Sequence, residues 1–304
     1  MTKEIANKKM NKAHYFAIKR FAIHDGEGVR TSVYLSGCPL RCVWCHNPEG
    51  FCYKSQLAYF SHKCTSCGEC VSACKVGTHS IVNGKHAFDR DKCVACGACE
   101  QVCLGQALQL YGKEISVDEL LPILLEDKDF YDASNGGVTL SGGECLTQFD
   151  FCLELAKRLK ELNISLDIDT CGYVEYEKLQ ALLPYVDTFL YDIKAFNNET
   201  HLRYTGVDNQ IIKMNLRKLC ENGANVEIRV PYVPDCNEEE LVGIAEFLQD
   251  LQIIGVRVLP YHNFSETKYE ALGYKCDMPK NIPSKEQLES AIKIFSDKKI
   301  RVII

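Results

Sequence analysis

Gly37-Cys38-Pro39-Leu40-Arg41-Cys42-Val43-Trp44-Cys45-His46 spaces three thiols as C-x3-C-x2-C, with no fourth cysteine close by. Gaps of two and three residues let thiolates converge on one metal centre and suit disulfides badly. Downstream stand two denser runs, Cys64, Cys67, Cys70, Cys74 and Cys93, Cys96, Cys99, Cys103, each reading C-x2-C-x2-C-x3-C. That spacing holds pairs of 4Fe–4S cubes, the first three thiolates of a run on one cube and the fourth crossing to the other. It assigns Cys64, Cys67, Cys70 and Cys103 to one cluster, and Cys93, Cys96, Cys99 and Cys74 to a second. A pair of structural zinc sites would need four uncrossed ligands per ion, which two adjacent runs of this kind do not offer. The proline usual after the fourth cysteine is missing, since Lys75 and Leu104 stand there. Between the runs, Asn83-Gly84 signals a two-residue hairpin.

The first triplet differs from these runs. Three thiolates on a cube leave one iron without a protein ligand, and an open metal position is what catalytic sites keep. His46 as a fourth ligand would strain, being adjacent to Cys45. A closed cluster completed by Cys52 is the blander alternative.

Composition sets the frame. The 304 residues are 46% hydrophobic and 25% charged, ordinary for a globular chain. With 35 basic and 41 acidic residues the net charge is −6, a poor match for nucleic-acid backbone. Eighteen cysteines without an export signal point to metal rather than a disulfide scaffold. No apolar run suggests a membrane span, so a cytoplasmic protein is expected, with residues 1–13 as a disordered tail.

Past the cysteine runs, short apolar strands alternate with amphipathic helices. Strands are expected at 32–36, 138–140, 164–168, 188–191, 226–230 and 255–259, with a terminal one at 301–304. Capping-box spacings at Ser116/Glu119, Asn237/Glu240 and Ser284/Gln287 mark helix starts, Gly223 a helix end and Pro122 a kink. Six strand–helix repeats imply parallel strands in a curled sheet or partial barrel. In such barrels function collects at the carboxyl ends of strands. There the sequence puts Cys38, then Ser141-Gly142-Gly143-Glu144, Asp169-Thr170, Asp192-Ile193-Lys194, Arg229 and His262. Singly, Asp169 could be a helix cap, Lys194 a surface lysine and His262 a loop histidine; together they form one rim.

C-x3-C-x2-C with an aromatic before the third cysteine resembles the radical S-adenosylmethionine (SAM) enzymes. Asp25-Gly26-Glu27-Gly28-Val29-Arg30-Thr31, Gly37-Cys38-Pro39 and Trp44-Cys45-His46-Asn47-Pro48-Glu49 are similar to the activating enzymes of glycyl radical enzymes, in the subgroup with a two-cluster ferredoxin insert. Glu27 and Cys145 depart from it, each standing where the family usually has proline. The resemblance implies an α/β fold, a partial (β/α)6 radical SAM barrel starting at 14–52, interrupted by a ferredoxin-like insert at 53–110 and completed by 111–304. It implies three 4Fe–4S clusters, SAM, and a monovalent cation at Asp169, Thr170 and Asp192. SAM would be contacted by Trp44, Cys45, His46, Gly142, Gly143, Glu144, Asp192, Ile193, Lys194, Arg229 and His262, with Trp44 equally readable as core packing. It further implies reductive cleavage of SAM to a 5′-deoxyadenosyl radical. That radical would abstract a glycine Cα hydrogen from a partner lyase or dehydratase, with flavodoxin or ferredoxin as donor in an anaerobic cell. Partners in the family act on choline, glycerol or diols, hydroxyproline, isethionate or arylacetates, and no residue here discriminates among them. The insert clusters relay electrons or are structural. A radical SAM enzyme acting on a small molecule and a ferredoxin-type electron-transfer protein are the rival readings.

Overall fold

A computed structural model describes residues 11–303. Twelve strands are present among them: β1 Lys12–Ala22, β2 Arg30–Leu35, β3 Gln56–Tyr59, β4 His79–Val82, β5 Lys85–Phe88, β6 Leu108–Tyr111, β7 Lys113–Ser116, β8 Gly137–Gly142, β9 Ser165–Thr170, β10 Thr188–Asp192, β11 Val226–Tyr232 and β12 Gly255–Pro260. Eight form one sheet in the order β12-β11-β10-β9-β8-β2-β1-β7. β2, β8, β9, β10, β11 and β12 pair in parallel, so the six strands expected from the repeats are present. In β9 and β11 apolar residues alternate with charged ones, Leu166 and Ile168 with Asp167 and Asp169, Val226, Ile228 and Val230 with Glu227 and Arg229. One face therefore packs on the helices and the other lines the barrel interior. Val33, Leu35, Leu140, Ile168 and Val230 are fully buried. The helix Phe149–Glu161 lays Phe151, Leu155 and Leu159 against them.

The parallel sheet carries an antiparallel extension that the strand–helix pattern does not reveal. β1 pairs with β2 on one side and β7 on the other. This corrects the expected tail: residues 1–10 lie outside the described ones, but Lys12 and Ala13 are strand, and Ala13 is fully buried. A second correction concerns residue 111. Tyr111 pairs with Gln56 in the β3–β6 ladder, so it belongs with the inserted segment rather than with the barrel. At the carboxyl end, only a bridge from Val302 to Val256 stands where a strand was expected, and Ile304 lies outside the described residues.

Capping boxes form at Ser116 and Ser284. Asn237 does not cap. It is fully buried, its amide donating to the carbonyls of Lys194 and Pro231 and its Oδ1 accepting from Val233 N, so the barrel loops claim the side chain first. Gly223 takes φ +73° after the helix Gln210–Glu221. Pro122 lies inside the helix Val117–Leu125. β4 and β5 form the expected hairpin, with Asn83 and Gly84 both at positive φ. No helix among the described residues is long and apolar enough to cross a membrane.

Candidate active site and cysteine cavities

A cavity of about 240 Å³ opens at the carboxyl ends of the parallel strands. Its wall includes Cys38, Cys42 and Cys45 from the loop after β2, Gly142 and Gly143 after β8, Asp169 and Thr170 ending β9, Asp192 and Lys194 after β10, and Arg229 on β11. The loop is tied down from several directions. Arg41 donates to the carbonyls of Cys38 and Leu40 at 2.7 Å each. From the helix Glu266–Leu272, Tyr269 Oη donates to Cys45 O, and Lys268 Nζ donates to His46 O and pairs with Glu49 at 2.6 Å.

Gly142 and Gly143 are required by backbone contact. Gly142 sits at φ +127°, and a Cβ there would fall 2.1 Å from Leu35 O. A Cβ on Gly143 would meet the carbonyl oxygens of Gly37 and Gly50 at 2.4 and 2.6 Å. Gly143 N and Glu144 N donate to Leu35 O and Gly37 O, stitching this segment to the start of the cysteine loop. The glycines therefore serve main chain against main chain as well as the cavity wall.

The charged rim is a chain of mutual support. Lys194 Nζ lies 2.7 Å from Asp192 Oδ2. Burial works against its charge, but Asp192, with Cys42 and Cys171, raises its pKa well above the ordinary lysine value. Arg229 stands 3.7 Å from Asp169 and 3.9 Å from Asp25, and donates to His24 O. Burial pushes the Asp169 carboxyl up to about 6 against the pull of Arg229, and Asp192 pushes it the same way. Burial likewise raises the thiols of Cys38, Cys42 and Cys45, the last to about 12. Thiols crowded in this way ionise only where positive charge is supplied beside them.

Not every expected residue reaches the cavity. Glu144 is fully buried behind it, its carboxylate accepting from Thr170 Oγ1, Cys171 N, Cys171 Sγ and Leu146 N. It braces two loops instead of facing a ligand. Ile193 is buried, its N donating to Arg229 O. His262 stacks on His46 at 3.8 Å and accepts through its carbonyl from His46 Nε2, forming an outer layer behind the wall. Burial pushes the His46 ring down to about 4. Trp44 both lines the cavity and packs on Tyr204 at 5.9 Å. One oxygen of each carboxylate in the expected cation set, and the Thr170 hydroxyl, have protein partners. Ser141 donates to Asp169, Thr170 donates to Glu144 and Lys194 pairs with Asp192. The positive charge beside these carboxylates is supplied by Arg229 and Lys194.

Cys171 was left without a role by the sequence, yet it lines the cavity. It directly follows the Asp169-Thr170 pair at the end of β9, so continuing the rim by one residue would have found it. Its thiol donates to Glu144 at 3.0 Å. Cys52 lines a neighbouring groove with Tyr269 and Tyr274.

In the inserted segment the two cysteine runs adopt the same backbone. Ser66 and Ala95 have positive φ of 56° and 50°, Gly68 and Gly97 of 84° and 77°. Ser66 N and Ala95 N donate to Cys64 and Cys93 sulfur, and Thr78 N and Ala107 N donate to Cys74 and Cys103 sulfur. Cys64, Cys67, Cys70 and Cys103 line one cavity, and Cys74, Cys93, Cys96 and Cys99 line another. Arg90 clasps the segment to the barrel through the carbonyls of Leu57 and Ala271.

Residues 32–248 match the radical SAM superfamily. The choline trimethylamine-lyase activating enzyme of Oleidesulfovibrio alaskensis is 41% identical over 87% of this chain and 88% of its own. The trans-4-hydroxy-L-proline dehydratase activating enzyme of Clostridioides difficile is 39% identical over 91% of this chain and 94% of its own. This chain belongs to the radical SAM family of glycyl radical enzyme activating enzymes. The fold agrees with a radical SAM methyltransferase from Sphaerobacter thermophilus, with TM-score 0.53 and 13% identity over 95% of this chain and 76% of that one. Membership of this family implies a 4Fe–4S cluster and SAM.

Proposed function

We propose that Cys38, Cys42 and Cys45 hold the SAM cluster, and that the chain converts SAM to a 5′-deoxyadenosyl radical which removes a glycine Cα hydrogen from a partner lyase or dehydratase. The observation carrying this is one cavity walled by three thiols and by Lys194, Arg229, Asp169 and Asp192. A cluster bound there, with one iron open, supplies the electron and a chelating position for SAM. Lys194 and Arg229 give fixed positive charge for a carboxylate, and Asp169 and Asp192 face an ammonium or sulfonium. Trp44 and Tyr261 form the apolar wall that keeps water from the reacting centre. Glu144 orients the loops at Thr170 and Cys171 without touching the ligand.

Residues 53–111 we read as a ferredoxin-like insert holding two further 4Fe–4S clusters, ligated as the two cavities group the cysteines. Their shared backbone of sulfur-directed N–H groups supports that reading. Flavodoxin or ferredoxin in an anaerobic cytoplasm is the donor that fits a two-cluster relay. Relatives that serve different lyases and dehydratases resemble this chain almost equally, so partner choice does not follow from the degree of likeness.

The test is anaerobic reconstitution with iron and sulfide, followed by SAM, a reductant and a glycyl radical enzyme encoded beside this chain. A persistent radical on the partner is expected, with a doublet that collapses when its glycine is deuterated. Cleavage of SAM without that signal would favour a small-molecule substrate.

A further inference from the structure

The β4–β5 hairpin carries two histidines that the reaction leaves unused. His79 lines the cavity of Cys74, Cys93, Cys96 and Cys99, and His86 lines that of Cys64, Cys67, Cys70 and Cys103. Between the cavities, His79 Nδ1 and His86 Nε2 lie 3.0 Å apart, with the rings stacked at 5.1 Å. Phe88 closes the stack on His79 at 4.9 Å, and the edge contact of Tyr59 fixes His86 at 4.5 Å. The nitrogens left over, His79 Nε2 and His86 Nδ1, are buried with no protein partner. A nitrogen of each ring lies within 4.8 Å of Cys70 Sγ. A shared bond of this length needs one ring nitrogen to donate and the other to accept, so at least one ring is neutral.

Two neutral imidazoles carry two N–H groups between them, and one is consumed in the shared bond. The ring that accepts this bond must carry its own proton on its outer nitrogen. The ring that donates must leave its outer nitrogen bare. We propose that the His79–His86 pair presents one N–H donor to one cluster cavity and one bare nitrogen to the other, and so sets the two clusters of the insert at unequal reduction potentials. This rests on the two-cluster reading given above. Hydrogen bonds to cluster sulfur raise a potential. A lone pair set against an anionic cluster lowers it.

The pair makes the two clusters answer to each other's histidine. With one ring gone, the survivor is free to adopt either tautomer, so the remote cluster changes as well as the near one. The experiment is a redox titration followed by electron paramagnetic resonance on the reconstituted full-length chain, comparing wild type with His79→Phe, His86→Phe and the double variant. Iron content is measured alongside. Each single variant is expected to shift both midpoints and narrow their separation, and the double variant to shift them by less than the sum. A tenfold change in how one electron divides between the clusters corresponds to about 59 mV. Midpoints that do not move, or a shift confined to the cluster nearest the replaced ring, would overturn the pairing. Should the phenylalanine variants lose iron, His79→Gln and His86→Gln carry the same test, because an amide keeps a donor and an acceptor but cannot pass a proton through a ring. Wild-type protein holding only the iron of the SAM cluster would instead overturn the two-cluster reading, and the pair's role with it.

Discussion

The cysteine loop of the barrel and the cysteine runs of the insert draw their support in opposite ways. In the loop, Cys42 is buried, the wall is assembled from five strands and the loops after them, and a distant helix ties the cysteine loop down. In the insert, Cys67 and Cys96 are exposed. Each run there is held by N–H groups two to four residues from the sulfur they contact. Depth suits a site that must confine a radical, and nearness to solvent suits sites that exchange electrons with another protein. On the proposed reading, one chain separates the two duties by how far along the sequence each site draws its supports.

The sharpest break of this contrast is Cys42→Ala. It should abolish 5′-deoxyadenosine formation under dithionite while iron falls by one cluster only, as read by iron assay and product chromatography. Wild-type turnover would show that the loop is not the reactive anchor. Next come Cys74→Ser and Cys103→Ser, whose damage should fall on the insert. Activation should slow more with a protein donor than with dithionite, and equal slowing would make the insert structural. Glu144→Ala probes the long-range support of the deep site. It strands the buried donors of Thr170, Cys171 and Leu146, so denaturant unfolding should show a loss of about 3 kcal/mol, with KM for SAM raised. Unchanged stability would mean that the deep site does not depend on this brace.

Much of the deep site could be read from the sequence because strand ends are marked by both pattern and chemistry. Leu140, Ile168 and Tyr191 are apolar, and the groups that follow them are glycine or charge. What escaped was whatever depends on side-chain direction. Glu144 lies one residue beyond Gly143, yet the turn aims it away from the cavity, and His262 lies one layer behind His46. Asn237 carried a capping signal that barrel loops override. β1 hid for another reason. Much of its length is only half-buried and it carries lysine and arginine along one edge, so it shows neither a continuous apolar run nor clean alternation. The insert was legible because its ligand spacing is rigid over short distances.

The smallest expected effect concerns the floor of the barrel. Asp167 lies 3.3 Å from Arg30, and burial nevertheless pushes its carboxyl up to about 7. In the unfolded chain its pKa is about 3.9. The folded state therefore holds a proton that the unfolded state has already released. Stability from this group is complete below about pH 4 and is lost as pH rises through 7. Between pH 5 and 7 the unfolding free energy should fall by about 2 kcal/mol on this account, and Asp167→Asn should flatten the slope. A slope unchanged by the substitution would place the titration elsewhere.

The exchange of one cysteine between the runs has a consequence for how the protein is made. The cavity of Cys64, Cys67 and Cys70 is finished by Cys103, and that of Cys93, Cys96 and Cys99 by Cys74. During synthesis, the cavity of Cys74, Cys93, Cys96 and Cys99 gains its last wall residue at Cys99 and that of Cys64, Cys67, Cys70 and Cys103 at Leu108, so both wait for the second run. Chains that end before the second run thus have neither quartet of cysteines complete. On the proposed cluster assignment, the interlock makes the first run dependent on the second, so cluster delivery to either site would follow synthesis of both.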